Sequence, residues 1–305
     1  MKKFCIPVIL AVLVAITALT AGPSAAAAPG SGYVMIGAAG NVYSFGSAPY
    51  CGGTTVTSFL GEAATDIELT PDGRGYWTLE TYAVWYGDGG FSSSFYVSLH
   101  YCDGTTPLEY ERSAFEYGSD TAGVLRRGEY ATSMSITPDG SGFWVFTNHG
   151  RVFNYGSAQW YGDMGNVALN GPVYDSVATP TGKGYYMVAS DGGIFAFGDA
   201  QFYGSMGGQP LNQPVISMAP DPDGVGYWLV ALDGGIFAFE APFLGSMGSI
   251  PLNKPVRGIV ASPTGGGYLM VAEDGGIFTF GDVPFHGSLG ANPPASPITA
   301  VSVIR

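Results

Sequence analysis

The chain has 305 residues, of which only 11% are charged, while Gly numbers 48 and Phe, Trp and Tyr together make up 14%. Soluble domains average about 25% charged residues, so this profile excludes a coiled coil, a helix bundle and a disordered tail; it suits short strands joined by tight turns in a sandwich, barrel or propeller. The formal charge of −13 comes with no basic stripe to displace counterions, which makes nucleic acid and anionic membranes poor partners.

Lys2 and Lys3 open the chain, followed by an apolar run from Phe4 to Leu19 and the small residues Ala25 to Ala28. That order predicts a secretory signal over residues 1–28, because the apolar run falls short of the about 20 residues that span a bilayer. Cleavage leaves a single domain over 29–305 that is two units more acidic, has no membrane insertion, and is expected outside the cell or at the cell wall. Cys5 leaves with the signal. Cys51 and Cys102 remain, an even pair expected to form a disulfide in an oxidising compartment.

The expected domain begins with SGYVMIG from Ser31, a strand with no strand of its own before it. A stretch around Asp66 and Glu68 reads as the first strand of the next unit. Residues 91–130 are irregular and concentrate His100, Tyr101, Glu109, Tyr110, Glu111, Arg112, Glu116, Arg126, Arg127 and Glu129. From there the chain repeats itself: HGRVFNYGSAQWYGDMG from His149, DGGIFAFGDAQFYGSMG from Asp191, DGGIFAFEAPFLGSMG from Asp233 and DGGIFTFGDVPFHGSLG from Asp274, at spacings of 42, 42 and 41 residues. A period near 42 is that of a four-stranded propeller blade. In one unit Val215 to Ala219, Tyr227 to Ala231 and Ile236 to Phe239 read as three strands, with a poorer fourth over Pro242 to Met247. The Asp-Gly and Gly-Gly pairs between them are hairpin turns.

Third-strand endings at Phe45, Tyr86, Tyr117, Tyr155, Phe197, Phe239 and Phe280 favour seven blades, with Phe95 to Gly104 as the second strand of the extra one; six blades plus an inserted loop is the alternative. ITAVSVIR, from Ile298 to Arg305, aligns with first strands and has no second strand after it. It is expected to pair with the Tyr33 segment and close the ring, removing exposed sheet edges.

GYWLVALDGGIFAFEAPFLGSMG from Gly226 resembles the tandem repeat of secreted bacterial β-propeller proteins. The resemblance covers nearly all of the domain, strongly from Gly142 onward and weakly from Phe91 to Arg127. It implies a propeller and export, and brings no catalytic residues with it. GNVYSFG, from Gly40 to Gly46, has a distant likeness in architecture to repeats of the regulator of chromosome condensation.

Propellers bind at the mouth of the channel or on loops of one face. Matching the first strands puts Asp66 and Glu68, Ser133 and Ser135, Asp175 and Val177, Ser217 and Ala219, Gly258 and Val260 on one small, polar face. Ile67, Met134, Tyr174, Ile216, Met218 and Ile259 fall on the other, as a packed interior. Asp66, Glu68 and Asp175 are thus channel candidates for a cation or a polyhydroxyl ligand. Tyr101, Tyr110 and Arg112 of the irregular stretch are the second set, aromatics to stack on sugar rings or side chains and a charge to orient them. The turn carboxylates Asp191, Asp233 and Asp274 offer oxygens for Ca²⁺, but turn formation explains them, and Ala39 and His149 replace them in other units.

His100, His149 and His286 show no metal-ligand spacing, and neither a nucleophile elbow nor a phosphate loop occurs. Glu109 and Glu111 are the one adjacent carboxylate pair a glycosidase reading would use. The expected function is a non-enzymatic binding or scaffold propeller for a glycan or protein at the cell surface, without a cofactor. A hydrolase or lyase using the channel carboxylates and a purely structural surface protein are the alternatives.

Overall fold

In a computed structural model, described for residues 31–54, 56, 63–85, 91–103, 108–112, 125–126 and 128–304, every regular element is a strand. The expected signal segment, Glu116 and Arg127 lie outside the described residues. Among the described residues nineteen strands form six antiparallel sheets. The first sheet holds β1 (Gly32–Gly37), β2 (Val42–Gly46) and the last strand of the chain, β19 (Ile298–Val303). The second is four-stranded: β3 (Ala63–Leu69), β4 (Gly75–Trp85), β5 (Phe91–Tyr101) and β6 (Leu108–Arg112). The third holds β7 (Ala131–Ile136), β8 (Gly142–Thr147) and β9 (Val152–Gly156), and the fourth β10 (Val173–Ala178), β11 (Gly184–Ala189) and β12 (Ile194–Gly198). The fifth holds β13 (Val215–Pro220), β14 (Tyr227–Ala231) and β15 (Ile236–Phe239), and the sixth β16 (Val256–Ala261), β17 (Gly267–Ala272) and β18 (Ile277–Gly281).

The middle strands explain why the sheets stack. GYYMVA of β11, YWLVA of β14 and GYLMVA of β17 are buried along their whole length, as an unbroken apolar run requires. Alternation sends successive side chains into two different cores. Tyr227 and Leu229 pack with Tyr186 and Val188 of the fourth sheet, while Trp228 and Val230 pack with Tyr268 and Met270 of the sixth. Six such clusters occur among the described residues, each joining consecutive sheets, including one in which Tyr33 and Met35 of the first meet Leu269 and Val271 of the sixth. Each fully buried Leu or Val contributes about 1.5 to 3 kcal/mol, so these cores dominate the stability.

A tyrosine hydroxyl fastens five of the six junctions. Tyr227 donates to the Gly204 carbonyl at 2.5 Å and accepts the Tyr203 N–H at 3.1 Å, both in the outer loop of the preceding sheet. Tyr33, Tyr76, Tyr185 and Tyr268 do the same with Gly287 and His286, Gly52 and Cys51, Gly162 and Tyr161, and Gly245 and Leu244. Burial pushes the Tyr76 and Tyr185 hydroxyls up to about 12. At the sixth junction Phe143 lacks the hydroxyl and instead packs 5.1 Å from Trp77 of the second sheet.

The clasp corrects one expectation. Pro242 to Met247 forms no fourth strand, because Leu244 N–H and Gly245 C=O bond the Tyr268 hydroxyl instead of a ladder. Gly245 has φ of 140° there, and a Cβ on it would lie 2.4 Å from the Phe280 ring of the next sheet.

Phe91–Tyr101 pairs with β4 along its whole length as the third strand of the second sheet, so it does not start an extra unit, and six sheets rather than seven are present among the described residues. β19 pairs with β1, setting Tyr33 opposite Val303 and Met35 opposite Val301. Cys51 and Cys102 form a disulfide between the loop after β2 and the end of β5, so a covalent link reinforces the junction that Tyr76 fastens.

Two outcomes are expected from denaturant unfolding. Tyr227→Phe leaves a partly buried amide and carbonyl without their partner and should cost about 1 to 3 kcal/mol; a stability equal to wild type would contradict the clasp. Cys51→Ser, which opens a loop with a sequence separation of 51 residues, should cost about 2 to 5 kcal/mol.

Candidate functional site

Strands β19, β3, β7, β10, β13 and β16 each form one edge of their sheet, and each lies beside the next around a cavity of about 330 Å³. Each carries a bulge against its partner strand. The extra residues are Thr65, Thr132, Tyr174, Ile216, Arg257 and Thr299, and all six line the cavity. A bulge breaks strict alternation and re-aims the residue after it. Tyr174 is therefore a partly exposed wall residue instead of a member of the packed face, whereas Ile67, Met134, Met218 and Ile259 are buried as expected.

In β3, β7, β10 and β13 the residue after the bulge, Asp66, Ser133, Asp175 or Ser217, bonds the neighbouring sheet. Asp66 Oδ2 accepts the Met134 N–H at 2.8 Å, and Asp175 Oδ2 accepts the Met218 N–H at 2.9 Å and the Ser217 hydroxyl at 2.6 Å. Ser217 Oγ in turn accepts the Ile259 N–H at 3.3 Å. Ser133 bonds Ser176 at 2.7 Å, and the hydroxyl of Ser135 accepts the Ala178 N–H at 3.2 Å. Between β19 and β3, Ser302 Oγ accepts the Leu69 N–H at 3.0 Å and Thr299 donates to the Ala64 carbonyl at 2.9 Å. Five of the six edge strands, β3, β7, β10, β13 and β16, thus find a partner for an outward amide in a side chain of the sheet before them, as buried backbone groups require.

Asp66, Glu68 and Asp175 do come together at the cavity wall. Burial raises the Asp66 carboxyl well above the usual range, with Glu68 and Asp175 pushing the same way. Burial also raises Asp175, against the Ser217 and Met218 bonds that favour its charge. The remaining oxygens accept the backbone N–H groups of Ile67 at 2.8 Å and Ser176 at 2.7 Å. Every oxygen of these two groups is already an acceptor, which makes them joints between sheets before anything else. Arg257 adds a cation to the cavity lining, paired with Glu273.

The second candidate set is elsewhere, on the outer strands of the second sheet. Tyr101 is half-buried against the cluster of Trp77, Leu99 and Phe143, and burial raises its hydroxyl. The register sets Tyr110 opposite Val97 and Arg112 opposite Phe95, and Glu109 and Glu111 opposite Ser98 and Tyr96. His100 is buried and bonded to Thr78 at 3.1 Å. Glu129 is fully buried, accepting the Thr147 hydroxyl at 2.6 Å and pairing with Arg151 at 2.8 Å, so it anchors the irregular stretch to the third sheet.

Asp191, Asp233 and Asp274 each accept the N–H two residues on, from Gly193, Gly235 and Gly276, at 2.9 Å, the geometry of a turn former. Among the described residues no three His, Cys, Asp or Glu side chains converge in a way that could hold a metal ion, and no helix is long and apolar enough to cross a membrane. Serines 133, 217 and 302 are the site residues that polarity alone underrates; Ser133 and Ser217 share the place of Asp66 and Asp175 in their first strands, and Ser302 stands two residues on, at the place of Glu68 and Ser135. Comparison with family models and with curated proteins finds no match to this chain.

The raised carboxyls fix a sign for pH dependence. Native Asp66 and Asp175 hold protons that the unfolded chain releases near pH ~4, so their contribution to stability falls as pH rises from there through their native values. Asp66→Asn should flatten that fall in a plot of Tm against pH. Parallel curves for variant and wild type would contradict it.

Proposed function

We propose that the six sheets are blades of a closed β-propeller, and that the chain is an exported, non-enzymatic binding or scaffold module for a glycan or protein outside the cell. The cyclic order of the edge strands and the pairing of β19 with β1 support closure, since no inner edge is then left without a neighbour. The basic and apolar N-terminal segment supports export, and the Cys51 to Cys102 disulfide is compatible with it.

One observation carries the choice of binding over catalysis. Asp66 and Asp175, the buried acids a hydrolase or lyase would draw on, spend both oxygens on amides and a hydroxyl that tie neighbouring sheets together. A general acid or base must exchange its proton with substrate while its scaffold stays fixed. Here the change of charge would fall on the joints.

Incubation of the intact protein with purified cell wall and insoluble polysaccharides, with reducing ends measured in parallel, tests this. Retention on a wall component or polysaccharide without release of reducing ends is expected. Release that Asp66→Asn abolishes would overturn the reading in favour of an enzyme, and neither retention nor release would overturn it in favour of a structural role.

A further inference from the structure

One bulky side chain stands out of the outer loop of five sheets at the same place in each repeat: Tyr50, Trp160, Phe202, Phe243 and Phe285 are 65%, 57%, 60%, 62% and 59% exposed. Single exposed aromatics are ordinary, but the same exposure recurring once per sheet is a pattern that burial does not explain. Phe202 and Phe243 each wall a shallow pocket, of about 270 and 240 Å³. The two pockets are built from equivalent residues. Asn170, Asp191, Phe195 and Ser205 join Phe202 in one, and Asn212, Asp233, Phe237 and Ser246 join Phe243 in the other. Asn253, Asp274, Phe278, Ser288 and Phe285 hold the same places in the sixth sheet.

The polar groups in each set are held in position. The Asp carboxylate is fixed through Oδ1 by its own turn, and its Oδ2 makes no hydrogen bond among the described residues. The Ser hydroxyl is fixed as acceptor of a backbone N–H two residues on, from Gly207, Gly248 and Gly290. The Asn amide is exposed at the lip.

We propose that these three sets are equivalent subsites for the pyranose rings of a neutral polysaccharide, an assignment that rests on the binding-module reading above and names its surface. An aromatic ring covers the C–H face of a sugar, while a carboxylate oxygen and an amide satisfy the hydroxyls at its edge. An apolar peptide would leave the Asp oxygen and the Asn amide desolvated and unpaired, at a cost that disfavours it. The net charge of −13 disfavours an acidic glycan. Three weak sites on one rigid body, each set about 42 residues from the next, suit a ligand that repeats, because occupancy of one raises the effective concentration at the others.

The test uses the full chain, with chitin, cellulose and mannan as neutral probes and polygalacturonate as the acidic one. Wild type should be retained on at least one neutral polymer and not on polygalacturonate. The triple variant Phe202→Ala, Phe243→Ala and Phe285→Ala alters exposed groups only, so its Tm should match wild type while its affinity falls on the order of 10- to 100-fold, and each single variant should lose only a few-fold. Asp191→Asn, Asp233→Asn and Asp274→Asn together keep the turn acceptor and should also weaken retention. If the folded triple Phe variant binds as well as wild type, the rim assignment is wrong while the binding-module reading stands. Retention of wild type on a cell-surface protein and on none of the polymers overturns the glycan. Self-association in sedimentation that the triple variant abolishes makes the rim a contact between copies, and also overturns it.

Discussion

A sheet with a free inner edge must find partners for a row of backbone amides, and the rest of this structure follows from how that is done. Each inner strand bulges once, and in β3, β7, β10 and β13 the residue beyond the bulge turns its side chain toward the next sheet. Asp66, Asp175 and Ser217 then serve amides of Met134, Met218 and Ile259. The places alternate between carboxylate, hydroxyl and, at Gly258, no side chain at all, where a Cβ would press on Val301 of β19. The cavity wall is mixed, and the polar groups that it does carry are the acceptors that neighbouring strands need, which makes them a structural necessity before a sign of ligand.

Outside that inner circle, burial sets the energy and the tyrosine hydroxyls set the register. Trp228 and Val230 on one face of a strand and Tyr227 and Leu229 on the other bind the same strand into two cores, so no sheet is stable alone. The second sheet is the exception that shows what the rule is for. It is wider by one strand, meets the third through Phe143, Trp77 and Phe153 without a hydroxyl clasp, and meets the first through a disulfide as well as Tyr76. Freed from the repeat, that unit is held by aromatic packing, a buried Glu129 to Arg151 pair and a covalent tie.

Much of this was legible from residues. The Val215 to Ala219, Tyr227 to Ala231 and Ile236 to Phe239 strands follow from apolar runs punctuated by Gly turns, and the placing of Ile298 to Val303 follows from its likeness to other first strands. The fourth strand failed because a poor strand pattern and a clasp loop look alike in composition: PFLGSM carries β-compatible residues, but its Leu244 amide and Gly245 carbonyl are taken by a tyrosine about 24 residues later. The reading of Phe95 to Gly104 as a second strand failed because aromatic endings mark strand ends without saying which sheet the strand joins. Tyr174 was misplaced by a bulge, which adds one residue and leaves no trace in a period of two. The exposed aromatics were visible in each repeat, yet only burial distinguishes Phe202, which faces water, from Phe197, which packs against Tyr185.

The central claim is that side chains of one sheet cap the inner backbone of the next, and amide hydrogen exchange reads it residue by residue. If the claim holds, the Met134, Met218 and Ile259 amides, which meet only side chains across a sheet boundary, exchange as slowly as ladder amides of β14, through global unfolding. Exchange of those three at the rate of open loops, with β14 still protected, would contradict it.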